Sequence, residues 1–547
     1  MKKDGKLTGG ELKKRFELLK TDRSTWESHW QEIAKYIQPN RADFRMYLAD
    51  GTKRHGEVLD NTAIQSNELL AGALHGLLTS PNTLWFELTT GNQEIDNMDG
   101  VRSWLQKQTI TLHNLMNNSN FQTEVHQYYL DLTSFGTAPM SIEEDDELIV
   151  RFAARHLKEI YVAENNKGYI DEVYREFKWN VRQIIGEFGD EVLSKSRHLA
   201  EAFRKSDDQK FTIIHGVYPR KLHNTDLNDR RRYHSQYILC EHDNVELSEK
   251  YFREFPYVVA RWTKASGEVY GRSPGMIALP DAKTINVMTD TVIRGAQRAV
   301  DPPLQLPDDG FIMPINTRPA GLNYYRAGSS DRITPVFNDT RIDFGFETMN
   351  ERRGRIRDAF YMDQLQLGQG PQMTATEVLQ RTEERMRLLG PMLGRQQAEF
   401  LKPLIERVYD IASRRKNDRG EPIIDPAPEV LQGTTVSVTY SSMIAKTQRI
   451  NEGQNIARTM QAIAPFVTSD QSVLDNFDGD KAVRSIAKIY GFPQEILRDL
   501  AQIQGMREQR AAAQQEQMAA AQEQQQLETL GKAGPGLAKI EELSQPA

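Results

Sequence analysis

A single cysteine, Cys240, stands in 547 residues. That excludes an internal disulfide framework and any zinc site built on several thiolates, and it fits folding in a reducing cytoplasm. Long hydrophobic runs are also missing. The longest strongly apolar stretch, Leu69–Leu78, is ten residues and contains His75, against the roughly twenty that a membrane-spanning helix needs. The first residues are rich in Lys and Gly without an apolar core, so no secretory leader is expected. Basic charge is not in excess. With 69 Lys and Arg against 76 Asp and Glu, the formal net charge is −7, which argues against a dedicated, tight, nonspecific nucleic-acid binder.

The usual constellations of chemistry are absent as well. No G-x-x-x-x-G-K-[ST] loop occurs, which argues against an ATPase of that type. The Gly-rich stretch Ala533-Gly534-Pro535-Gly536 lacks the Lys-Ser/Thr pair, and Pro535 removes an N–H donor. The eleven histidines are scattered, with none spaced for a metal on a helix face. Asp475-Asn476-Phe477-Asp478-Gly479-Asp480 has some carboxylates of a calcium loop, but its glycine and terminal glutamate offsets are wrong; it reads as a capping turn before Lys481. The acidic run Glu143–Glu147 reads as a solvated turn. No catalytic residue, metal or cofactor is therefore expected.

What is present is an α+β pattern, mainly helical, long enough for several domains or one multi-part subunit. Leu12, Phe16 and Leu19 predict one short helix, and Trp26, Trp30, Ile33 and Ile37 a second, ended by Gln38-Pro39-Asn40. Asn61–Thr79 predicts a third, with small residues (Ala63, Ala71, Gly72, Ala73, Gly76) that admit a close neighbour, then a strand over Leu84–Leu88 and helices over Val101–Asn117 and Thr123–Leu132. From 150 to 262 the period shortens to that of strands, with candidates at Ile160–Val162, Ile170–Tyr174, Thr212–Tyr218, Tyr237–Cys240 and Tyr257–Arg261, a hairpin turn at Asn165–Gly168 and one helix, Val181–Phe188. Thr434–Tyr440 alternates as a strand and is expected to pair back onto this β-rich part.

The segment Arg272–Tyr440 is the most informative. Ser273-Pro274 opens a helix as N-cap and first residue, and Met276, Ile277, Ile285, Met288 and Val292 carry its period as far as Asp301-Pro302-Pro303. An insert, Pro302–Arg341, holds six prolines and reads as short strands and turns. Asp343 restarts a helix through Phe360; Gln364–Gln372 interrupts it; Thr374 with Glu377 fits a capping box for a long helix over Thr374–Arg415 of about 60 Å, kinked at Gly390-Pro391 and Pro403. Residues 446–465 and 480–503 are helical, and Ala511–Gln526, only Ala, Gln, Glu and Met, predicts a helix with no apolar face.

The run Tyr270-Gly271-Arg272-Ser273-Pro274-Gly275-Met276, with Leu279-Pro280-Asp281 and Asn286, resembles the portal (head-to-tail connector) proteins of short-tailed bacteriophages. Leu77-Leu78-Thr79-Ser80-Pro81 with Trp85-Phe86, Phe135-Gly136-Thr137-Ala138, Val217-Tyr218-Pro219-Arg220, Phe255-Pro256-Tyr257 and Met373-Thr374-Ala375-Thr376-Glu377 match in the same order. The resemblance implies an elongated subunit: wing (1–268), first stem helix (269–300), clip (301–342), second stem helix (343–362), tunnel loop (363–373), a long wing helix with a returning strand (374–460), and crown and tail (461–547). It further implies a homo-oligomeric, dodecameric ring at one capsid vertex of the virion, made in the host cytoplasm. Double-stranded DNA would pass through it for packaging and ejection, and its partners would be major capsid and scaffolding proteins, the terminase, a tail adaptor and internal core proteins, with no membrane. An acidic wall suits DNA that must slide without sticking. Two other classes are weighed against it: a packaging enzyme, disfavoured by the missing phosphate loop, and a non-portal scaffold or internal virion protein, favoured by the Ala/Gln tail.

Candidate lining residues are Arg352, Arg353, Arg355 and Arg357 on the second stem helix with Gln364, Gln366, Gln369 and Gln372 in the loop. The arginines admit two readings, a positive ring brushing phosphates or ion pairs with Asp343, Glu347 and Glu351, and residue type does not decide between them. In the clip, Phe311, Ile312, Met313, Tyr324 and Tyr325 are candidate interface anchors.

Overall fold

The apolar residues from Leu12 to Ile37 fall on one helix, α1 (Gly9–Ile37), rather than two. The step between Leu19 and Trp26 lands on Arg23, a charge in a core stripe, and that charge made the segment read as broken. Arg23 is 2 % exposed. Its guanidinium lies 3.6 Å from the centre of the Tyr161 ring, donates to the carbonyls of Leu157 and Ile160 at 2.8 and 2.7 Å, and pairs with Glu27 at 2.7 Å. A flat, fully hydrogen-bonded cation resting on an aromatic face is a tolerable core residue.

The computed structural model describes residues 5–45, 49, 51–96, 98–205, 208–222, 231–241, 244–301, 303–305, 316, 324, 334–335, 342–365, 390–416, 420–431, 437–440, 456, 458–459, 461–463, 465, 478–489 and 502–520. The chain forms two compact units: Met1–Gly91 with Leu105–Ala427 and Gly433–Ala445, and Asn92–Trp104 with Pro428–Gln432 and Lys446–Ala547. Helices α2 (Thr62–Leu78), α3 (Asp99–Asn117) and α4 (Phe121–Phe135) follow α1. On α2, Ala63 and Ala71 are buried, whereas a side chain added at Gly72 or Gly76 would meet nothing within 4 Å.

Strand structure begins earlier than the period change at 150 suggests. Gly136 ends α4 in the left-handed region, φ 78°, which glycine adopts without steric cost, and the first long strand starts at the next residue. Besides β1 (Phe86–Thr89), the strands are β2 (Thr137–Asp145), β3 (Ile149–Ala154), β4 (Ile160–Glu164), β5 (Ile170–Asn180), β6 (Lys210–Pro219), β7 (Tyr233–Leu239), β8 (Val245–Phe252) and β9 (Tyr257–Arg261). One sheet has the order β3-β2-β9 and another β4-β5-β6-β7-β8, all antiparallel. The expected Asn165–Gly168 turn joins β4 to β5, with Gly168 at φ 81°, and α5 (Val181–Phe188) follows β5 behind an Asn180–Gln183 capping box. The run Glu143–Glu147 forms the tip of the β2–β3 hairpin, where Asp145 Oδ1 accepts from the Glu147 and Leu148 amides at 2.9 Å.

Downstream come α6 (Pro274–Val300), α7 (Ile342–Ala359) and the single turn α8 (Met362–Leu365), with β10 (Leu304–Gln305) and β11 (Thr334–Pro335) paired antiparallel inside the insert. A helix from Gly390 passes through a π turn, Gln397–Leu401, into α9 (Lys402–Arg414). The Lys402 amide bonds to the Gln397 carbonyl, and Pro403, which has no N–H to give the Glu399 carbonyl, follows at once. The strand Ser437–Tyr440 (β12) does not return to the β-rich part. It pairs with β1, from Phe86 opposite Tyr440 to Thr89 opposite Ser437, so each of two strands lying outside the larger sheets satisfies the other.

Each outer strand of the two larger sheets meets polar side chains along its free edge. Asn120 bonds both the amide and the carbonyl of Phe152, at 3.0 and 2.7 Å, and Glu124 accepts from Ala154 at 2.7 Å. Glu399 accepts from the Arg261 amide and Gln396 donates to its carbonyl, both at 3.0 Å. Arg23 takes the Ile160 carbonyl of β4, and Lys195 takes the Leu247 carbonyl of β8 at 2.9 Å. The Arg261 side chain, 2 % exposed, adds ion pairs to Glu399 and Glu164, each at 2.9 Å.

In the second unit, α10 (Gly479–Ile489) is capped by Asp478, which accepts from the Lys481 amide at 3.1 Å. This is the capping turn expected there. Asp480 holds Arg507 through both carboxylate oxygens at 2.7 and 2.8 Å. Residues 502–520 are helical, and 507–520 are exposed on every side.

Candidate functional site: a braced helix pair

Ser273 caps α6 as its sequence position implies, accepting from the Met276 amide at 3.0 Å while donating to the Ser134 carbonyl at 2.6 Å. Pro274 occupies the first helical position. Just upstream, Gly271 and Gly136 pass so closely that a Cβ on Gly271 would lie 2.2 Å from the Gly136 carbonyl oxygen. Two of the matched motifs therefore meet at one backbone crossing, where any side chain collides.

The helices α6 and α7 pack together, and a Cβ on Gly345 would lie only 2.9 Å from Val292. Polar braces tie the pair to the segment that leads into α2. Asn286 accepts from the amides of Leu59 and Asp60 at 2.7 and 3.3 Å and donates to the Ala282 carbonyl at 2.8 Å. Arg353 donates through Nε and Nη2 to one oxygen of Asp60, at 3.0 and 2.9 Å, and through Nη1 to Asn350. The other Asp60 oxygen accepts from the Thr62 amide at 2.9 Å. Burial pushes the Asp60 carboxyl up, but the Thr62 hydrogen bonds and Arg353 outweigh it and hold the group below the usual carboxylate range.

The four arginines expected as one group have four settings. Arg352 pairs with Asp281 of α6 at 2.7 Å, Arg353 with Asp60, and the exposed Arg355 with Glu351 of its own helix at 2.7 Å. Arg357 is exposed and forms no ion pair with a described residue. Glu351 is thus an expected acidic partner that is used, and the side chain of Asp343 lies outside the described ones. Asp281 and Asn286 belong to the matched motif, which signalled them; Asp60 had no signal in the sequence. From Ile277 to Thr291 the outward face of α6 presents Ile277, Pro280, Thr284, Val287 and Thr291 without a charge, with Val287 68 % exposed, and the same face continues into the exposed Arg294 and Arg298.

Of the loop, Gln364 falls in α8, and Gln366, Gln369 and Gln372 lie outside the described residues, as do Thr374 and Glu377. Of the clip anchors, Tyr324 is exposed, and Phe311, Ile312, Met313 and Tyr325 lie outside the described residues. The β10–β11 pair, Leu304 opposite Pro335, brings the two ends of the insert together. Among the described residues no cluster of three or more His, Cys, Asp or Glu could hold a metal ion, and no helix is long and apolar enough to cross a membrane.

Comparison with known proteins gives these features a context. The probable portal protein of Bordetella phage BPP-1 is 32 % identical over 539 residues, covering 96 % of this chain and 95 % of that protein. The portal protein of Salmonella phage epsilon15 is 28 % identical over 512 residues, covering 91 % and 90 %. A chain of the virion of a native gene transfer agent particle is similar over 74 % of this chain and 86 % of its own, at 11 % identity and a TM-score of 0.35. The family model described as bacteriophage head to tail connecting protein matches residues 9–497, and the chain belongs to that family.

Proposed function

We propose that copies of this chain assemble head to tail into a ring, a dodecamer by family resemblance, that forms the portal at one capsid vertex of a phage virion. Viral DNA is packaged and later ejected through its centre. The ring has no chemistry of its own. The observation that carries the reading is 32 % and 28 % identity to two phage portal proteins over nearly the whole chain, and the braced helix pair supports it. A wall that a polyanion slides along must not yield, and Asn286, Arg352 and Arg353 fix α6 and α7 to the body of the subunit. These two arginines act as braces. The lining falls to Arg355, Arg357 and the neutral amides of Gln364, Gln366, Gln369 and Gln372, a mixed surface that touches phosphates without trapping them.

The part of the outward face of α6 that carries no charge, Ile277 to Thr291, meets the neighbouring copy, a heterologous contact that closes into a ring. The insert forms the clip, which docks the terminase and then the tail adaptor through Phe311, Ile312, Met313, Tyr324 and Tyr325. The wing contacts capsid and scaffolding proteins, and residues 461–547 form a crown facing the interior and any core proteins. End-on electron microscopy of the purified protein is expected to show closed rings with a central hole; rods or monomers would overturn the reading. Val287→Glu should abolish rings, whereas truncation after Gln504 should leave them. Arg355→Glu with Arg357→Glu should keep rings while lowering packaged DNA length. Replacing the insert with a Gly/Ser linker should leave subunits folded but unable to package.

A further inference from the structure

Between Arg355 and Leu367 the chain has neither glycine nor proline, and its residues are ordinary helix formers. Local preference alone would carry α7 straight through into α8. It does not. Phe360 still bonds back to Ile356 at 3.2 Å, but the Tyr361 amide closes a tighter turn on Asp358 at 2.9 Å, and Tyr361 then takes φ 59°, the left-handed region that is disfavoured for a residue with a β-carbon. The break is held from outside the helix. Ile356 and Phe360 are fully buried and Met362 nearly so, α8 packs on α2, and the Tyr361 ring lies 6.2 Å from that of Trp262.

We infer that Tyr361 is the pivot of a two-position element: residues 342–365 are bent here, and a continuous helix through Leu365 is the alternative, so that passage between the two swings α8 (Met362–Leu365). Backbone preference favours the straight form and burial of Phe360 and Met362 favours the bent one, and such opposition is what a bistable element requires. The use of the device rests on the channel reading, because Gln364 opens the proposed lining. The device itself does not.

A distance measurement on isolated protein tests it. Spin labels at Glu347→Cys and Gln364→Cys, in a Cys240→Ser background and diluted with unlabelled subunits, would lie about 25 Å apart along a continuous helix and closer across the bend. Tyr361→Gly removes the backbone conflict, and Tyr361→Val, β-branched, sharpens it. The long-distance population is expected to fall with glycine and to rise about fivefold relative to the parent with valine. Identical distance distributions in the parent and in both variants, with each protein folded by circular dichroism, would overturn the pivot. That result would leave the ring and its channel untouched.

Discussion

Arg353 and Asp60, 293 positions apart, share one hydrogen-bonded contact in which both Nε and Nη2 reach the same carboxylate oxygen. The C-terminal half of α7 is thereby fixed to the residues that lead into α2. Arg357, one turn on, has no such anchor among the described residues.

The two arginines should therefore separate in experiment. Arg353→Ala leaves a nearly buried carboxylate without its cation and is expected to cost about 1–3 kcal/mol of stability, whereas Arg357→Ala should stay within about 0.5 kcal/mol. Urea unfolding at pH 7 checks both. Because the folded Asp60 carboxyl sits below its ordinary range, its contribution is complete above the unfolded pKa of about 3.9 and lost as pH falls through the lower folded value. The deficit of Arg353→Ala should shrink in that acid window.

The crossing of Gly136 and Gly271 makes a second prediction. Gly271→Ala should cost about 2–4 kcal/mol, since backbone lies on the side where its Cβ would go. Gly72→Ala, in open space on α2, should instead gain about 0.5–1 kcal/mol. Thermal melts of the two variants should move in opposite directions.

Arg261 is a third case. Its guanidinium serves Glu399, Glu164 and the Gly168 carbonyl at once. Arg261→Lys keeps the charge but replaces a planar fork, whose three nitrogens point at separate acceptors, with a single ammonium nitrogen, so a loss of about 2–4 kcal/mol is expected despite the conservative change. Recovery of wild-type stability by lysine would show that charge alone suffices.

The fourth concerns acid. His215 is stacked on Tyr237 at 3.9 Å, with its nitrogens on Tyr257 Oη at 3.1 Å and Ser235 Oγ at 2.8 Å. Burial first, then the charges of Arg175, Arg155 and Lys250, pull its pKa well down. The unfolded chain takes up this proton near about pH 6.5 and the folded one does not, so stability is present above that pH and lost as pH falls below it. His234 adds the same sign. Unfolding free energy should decline from pH ~6.5 toward 5 by up to about 1.4 kcal/mol per pH unit for each such group, and His215→Gln should flatten the slope.

Much of this was legible from residues alone, and the misses have physical causes. Ser273-Pro274 and Asp301-Pro302-Pro303 bounded α6 because caps and prolines act locally. The Val181–Phe188 helix and the Asn165–Gly168 turn were legible for the same reason. Arg23 split α1 on paper because its acceptors, at 157 and 160, are invisible to a helical period. β8 was missed because Val245–Phe252 is half charged and polar, with no clean alternation. The site suffered most from distance along the chain. The four arginines are neighbours in sequence but spread around the helix, and the partners of three of them lie 293, 71 and 4 positions away; only the last could be read from the helix itself.

The side chains lying along the strand edges have a consequence for the protein's life before it finds its place. A component needed in many copies accumulates in the cell alongside its own kind, and bare strand edges would invite those copies to zip together irreversibly. Here Asn120, Glu124, Gln396 and Glu399 already occupy backbone groups that a stranger's strand would seek. A subunit whose strand edges are already occupied is thus left with its helices as the sociable surface, and crowding has less opportunity to lead toward fibres.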